Sequence, residues 1–132
     1  MSNAEKNFKR YARQLRLLLL ACKADMYFGM EDLAKIGIFV PDEEGTKIVI
    51  GEQLVSRSWR YALVTLLHET GHLLTVVCGT VYVNPVNTKM NECLAWVFAE
   101  ALLEDLKWPI TREHFVRSRR RALKSYGIRG LR

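Results

Sequence analysis

Proline is scarce in this chain, with Pro41, Pro85 and Pro109 the only three in 132 residues. Long stretches between them are free to run as uninterrupted helix or strand. Cysteine is equally scarce, and Cys22, Cys78 and Cys93 are odd in number and lack a C-x-x-C spacing. That gives no support to a disulfide framework or a cysteine-only zinc site, and it suits a reducing cytoplasm. No apolar run approaches the roughly 20 residues that span a bilayer. The run Leu17 to Cys22 follows Arg10, Arg13 and Arg16 but is only six residues long, short of a signal-peptide core. Ser2-Asn3-Ala4 reads as a scar of tag removal and receives no weight.

Charge is present in both signs but unevenly. The net charge is +6, with six basic residues against one acidic in 1–23, five against twelve in 24–106, and nine against one in 107–132. An acidic middle therefore sits between two basic ends. At 49% hydrophobic and 26% charged residues, the composition is that of a globular chain able to bury a core, and the length suits a single domain over 1–132, with 127–132 as a flexible tail.

Phe8, Tyr11, Ala12, Leu15, Leu18, Leu19, Cys22 and Met26 recur at steps of three and four, which predicts an amphipathic helix ending before Gly29 with its basic residues on a solvated face. The β-branched runs Ile36–Val40 and Lys47–Ile50 flank turn chemistry at Pro41-Asp42-Glu43-Glu44-Gly45, a pattern for a hairpin. Between Ser56 and Gly79 apolar residues fall at helical spacing on more than one face, so this helix must be central. After Gly79 comes a connection through 84–88, with Thr80 to Val83 as a further short edge strand. Met90 to Lys107 is a helix halted before Pro109, and Thr111 offers the N-cap of a last helix running to about Tyr126, with Gly127 just past its end. The fold class expected is α+β: two central helices on a small sheet, with helices at both termini.

The central helix carries His68-Glu69-Thr70-Gly71-His72, an H-E-x-x-H spacing. At 3.6 residues per turn, His68 and His72 share one face and can point two imidazole nitrogens at one ion. Glu69 is turned about 100° from His68, where a carboxylate can take a proton from water activated at that ion. Two histidines inside an apolar helix would otherwise each need a separate polar partner. An open zinc site takes three protein ligands, and the candidates for the third are Glu92, Cys93, Glu100 and His114. Glu92 is favoured, because Ala95 and Ala99 at i+3 and i+7 leave its helix face small enough for close approach. Cys93 reads as a core thiol, Glu100 as part of a solvated face, and His114 as a surface histidine beside an arginine cluster. Tyr61 or Tyr82 could supply a phenol to an oxyanion, but nothing in the sequence places either, and Gly71 reads as a site of close helix packing.

Thr65-Leu66-Leu67-His68-Glu69-Thr70-Gly71-His72-Leu73-Leu74, followed by Glu92-x-x-Ala95-x-x-Phe98-Ala99-x-x-Leu102-Leu103, resembles the ImmA/IrrE family of small zinc metallopeptidases. The resemblance covers about residues 47–103, with the Lys47–Ile50 segment in its proper place before the histidine helix. It implies a gluzincin-like zincin domain, Zn2+ held by His68, His72 and Glu92, and Glu69 as general base. The chain departs from the family at Val64, where an aromatic often stands, at Trp96, where an asparagine often stands, and at Leu102 to Pro109, where the family often ends Leu-Leu-Met-Pro. The resemblance further implies a cytoplasmic regulatory endopeptidase of the phage or mobile-element type, cutting a partner such as a DNA-binding repressor carried on a separate polypeptide.

A competing expectation is a non-catalytic module with a structural or vestigial zinc, in which Arg117, Arg119, Arg120, Arg121, Lys124, Arg129 and Arg132 form a phosphate-contacting stripe. Tyr126 is the single aromatic in that cluster, which weakens the case for base stacking. A partner-sequestering toxin or antitoxin is a third reading.

Overall fold

The computed structural model describes residues 2–29, 37–42, 45–77 and 88–128. Its described elements form a helix-rich fold with one three-stranded sheet. Helix α1 spans Asn3–Ala12 and continues through a 3-10 turn at Arg13–Leu15 into α2, Arg16–Ala21. Ser2 is its N-cap, with Oγ accepting from the Glu5 amide at 3.2 Å. A residue that the sequence reading set aside thus satisfies one of the helix's orphan donors.

The predicted N-terminal helix is shorter than expected. It ends at Ala21, and residues from Ala24 to Gly29 form strand β1. Lys23, with φ 55°, sits in the left-handed region that a helix cannot continue through, and this reverses the chain. Met26, placed at a helical step by the periodicity, is instead a strand residue pairing with Ile48. Strands β2, Gly37–Asp42, and β3, Gly45–Gly51, form the expected hairpin, in which Asp42 faces Gly45 and Val40 faces Lys47. Strand β3 is central, parallel to β1 and antiparallel to β2. Its alternation is clean: Ile48 and Ile50 are fully buried while Lys47 is exposed.

A short helix α3, Glu52–Arg57, leads to α4, Trp59–Val77, and Ser58 between them accepts from the Tyr61 amide at 3.2 Å to start the longer helix. Helix α4 packs against α1, α3, β2, β3 and above all α5, Thr88–Leu106, which explains its apolar character on several faces. Ala62, Leu63, Val64, Leu66, Leu67 and Leu73 are all buried in it. Burying each such leucine stabilises the fold by about 1.5–3 kcal/mol.

Gly71 is what lets α4 and α5 touch: a Cβ built there would collide with the carbonyl oxygen of Ala95. Ala95 and Ala99 on the facing side are fully buried, as the small-residue face implied. Helix α6, Arg112–Ser125, begins at the Thr111 N-cap, whose hydroxyl accepts from the His114 amide at 3.1 Å. It ends in a Schellman motif, with Gly127 at φ 76°, its amide bonded to Lys124 O at 2.9 Å and the Ile128 amide to Leu123 O at 3.0 Å. Gly127 and Ile128 therefore belong to the helix end and not to a tail. The expected strand over 80–83, with Tyr82, lies outside the described residues.

Candidate metal centre

Helix α4 presents His68 and His72 one turn apart, their ring centroids 4.7 Å from each other. Helix α5 brings Glu92 across at the level where Gly71 permits contact. His68 Nε2 lies 2.8 Å from Glu92 Oε2, and His72 Nε2 lies 3.1 Å from Glu92 Oε1. The three side chains can each offer one ligand atom within 4.8 Å of the others, so the group can hold a metal ion. His68 Nε2 and Glu92 Oε2 are both buried, and neither has a hydrogen-bond partner of acceptable geometry among the described residues. A cation between these two atoms, or a proton held on His68 Nε2 across the 2.8 Å contact, would satisfy both. The donor set, two imidazoles and a carboxylate, fits zinc with a position left open.

Electrostatics follow from this convergence. Burial disfavours ionised Glu92, yet the two imidazoles outweigh it and hold its carboxyl down at about 2. Burial holds His68 below its ordinary value despite Glu92. For His72 burial acts in the same direction, but Glu92 and Glu69 prevail and raise it. Glu69 is buried, at 8% exposure, and burial lifts its carboxyl to about 7, with His72 opposing and Glu92 adding to the rise.

Glu69 shares a cavity of about 250 Å³ with His68 and Glu92. Tyr61, Val64 and Thr65 of α4 form one wall, Trp96 of α5 another, and Ala122, Ser125 and Tyr126 at the end of α6 a third. Two of these residues were invisible to sequence reasoning as site residues. Trp96 stacks on the His68 imidazole, centroids 4.4 Å apart and planes 23° from parallel, and also makes an edge-to-face contact with Phe115 at 5.5 Å. Tyr126 turns its phenol toward Glu92; burial, the charge of Glu92 and a hydrogen bond with it hold that phenol above its ordinary value. The asparagine that the sequence resemblance leads one to expect at position 96 was the one available signal for Trp96. Only the fold, by bringing the end of α6 over α4 and α5, reveals Tyr126.

The other candidate ligands lie elsewhere. Cys93 is half-buried against the core and is a free thiol. His114 is half-buried beside Tyr61, Thr111 and Arg117 in a separate cavity, and burial first, then Arg117 and Arg60, hold it below its ordinary value. Glu100 is not on a purely solvated face: it accepts from Arg112 at 3.0 Å and Arg119 at 2.6 Å, tying α5 to α6. Arg119 is correspondingly removed from the supposed phosphate stripe, being 6% exposed and packed 5.6 Å from the Phe115 ring. Arg117, Arg120, Arg121 and Lys124 are exposed, and Arg129 and Arg132 lie outside the described residues. Among the described residues no helix is long and apolar enough to cross a membrane.

No protein-family model, curated protein or solved structure matches the chain.

Proposed function

We propose that the chain is a zinc-dependent endopeptidase acting on a protein substrate, with His68, His72 and Glu92 as ligands and Glu69 as general base. The observation that carries this reading is the convergence of three donors on one point, Glu92 buried and both histidines half-buried, with a further buried group, Glu69, in the cavity that His68 and Glu92 line. A zinc ion held there supplies Lewis acidity, which polarises a peptide carbonyl and acidifies a water molecule. Glu69 accepts the proton of the attacking water on its carboxylate and returns it to the leaving amine nitrogen as the peptide bond breaks. Its burial excludes competing solvent and keeps its carboxyl ready for both transfers. Tyr126 brings a hydroxyl donor to the facing wall, suited to the oxygen on which charge develops. A zincin-like architecture, a cytoplasmic setting and a repressor-type substrate are the parts of this reading supported by the family resemblance.

Glu69→Gln tests the assignment, because it removes the base while leaving all three ligands. Zinc-loaded parent protein is expected to cleave members of a fluorescence-quenched peptide library, and the variant to lose about 10²–10⁴-fold in rate while retaining its zinc. Equal cleavage by parent and variant would assign the hydrolysis to something other than this site.

A further inference from the structure

A cavity larger than the one at the candidate metal centre lies elsewhere on the molecule. It occupies about 720 Å³ along the N-terminal helices and shares no lining residue with the site above. One wall is cationic: Lys6, Lys9, Arg10, Arg13 and Arg16 all line it, and no carboxylate does among the described residues. The remaining lining is apolar, chiefly Leu19, Leu20 and Met26. Leu20 is 51% exposed, and Leu17 beside it on α2 is 82% exposed. Water-facing leucines next to a row of like charge are an unfavourable surface for a chain with no partner on it.

The spacing of the charges narrows the occupant. From Lys6 through Arg10 and Arg13 to Arg16 they recur at helical steps of three and four, a row about 15 Å long at 1.5 Å per residue. A single-headed amphiphile brings one anionic group and would leave most of the row unneutralised. A nucleic-acid backbone would neutralise the row but leave the leucines against polar sugar and phosphate, and among the described residues no aromatic lines the groove for base stacking. A helix with acidic residues at i, i+3 and i+4 and leucine-like residues on the adjoining stripe meets both walls at once.

We propose that this groove docks an acidic amphipathic helix of a protein partner. The inference stands apart from the hydrolytic reading, since neither wall involves the metal ligands or Glu69.

The test uses the full chain and a fluorescein-labelled synthetic peptide of about 14 residues, long enough to cover the row, with leucine and glutamate arranged amphipathically. Fluorescence anisotropy is expected to show saturable one-site binding. The double variant Arg13→Glu/Arg16→Glu should weaken it at least about tenfold, and Leu20→Ser should weaken it at unchanged charge. These three side chains are exposed, so both variants should melt with the parent. Arg120→Glu/Arg121→Glu on α6 should leave binding unchanged. Absence of saturable binding, indifference to the α2-side variants, or loss only in the α6 variant would overturn the proposal. So would equally tight binding of oligoglutamate or of a thymidine oligonucleotide of matched charge, which would make the groove a site for charge alone.

Discussion

His68 depends on more than its helix. Its ring contacts both His72 and the stacked indole of Trp96, and that indole meets Phe115 from α6. Trp96→Ala should therefore free the imidazole to rotate and weaken zinc binding by about tenfold or more, the scale of outer-shell losses. Trp96→Phe keeps an aromatic face and should stay near the parent; competition with a chromophoric zinc chelator measures both. At this scale the convergence of His68, His72 and Glu92 was legible in the sequence, because i, i+4 histidines share a helix face and the Glu92-x-x-Ala95 pattern leaves that face of α5 small. The stacking of Trp96 and the approach of Tyr126 were not, because each depends on the packing of helices separated by loops whose path no local pattern determines.

Between elements, the contact that matters most is α4 on α5, and Gly71 controls it. Gly71→Ala gains about 1 kcal/mol of helix propensity but drives a methyl group into the backbone of Ala95. Overpacking costs up to about 3 kcal/mol and should leave a net loss of about 2 kcal/mol, read as a fall of several degrees in melting temperature. The same separation moves Glu92 away from the histidines, so zinc affinity should fall in parallel. An unchanged melting temperature would mean that the helices do not meet here. Most helices were legible from apolar spacing and caps: Thr111 and Gly127 mark the ends of α6 as their chemistry dictates. Strand β1 was not, since Met26 continued a helical rhythm by coincidence and the break came from Lys23, a residue type with no turn preference. The pairing of β1 with β3 in parallel is a long-range choice that strand propensity alone does not encode.

For the molecule as a whole, stability in acid should report the tie between α5 and α6. Burial disfavours ionised Glu100, but hydrogen bonds from Arg119 and Arg112 outweigh it and hold the carboxyl below its ordinary value of 4.5. A depressed folded-state value means that the unfolded chain binds the proton more readily. The contribution of Glu100 is thus fully present above its ordinary value and is lost as pH falls through the folded one. Glu100→Gln should flatten the decline of melting temperature below about pH 4.5 relative to the parent, with little change in slope near neutrality. An identical acid limb in both proteins would remove Glu100 from the account.

Zinc bound at the proposed centre would also act on the whole fold, because His68 and His72 stand on α4 and Glu92 on α5. Ligand binding to the folded state alone adds about 2.7 kcal/mol at a hundredfold excess over the dissociation constant. The most direct test of the central claim is therefore metal content: elemental analysis of protein purified without an affinity tag and re-exposed to zinc, beside His72→Ala, Glu92→Ala and Glu69→Gln. About one zinc per chain is expected in the parent and in Glu69→Gln, with loss in the two ligand variants. No zinc in the parent, or full zinc in His72→Ala and Glu92→Ala alike, would contradict the assignment of His68, His72 and Glu92 as the metal centre.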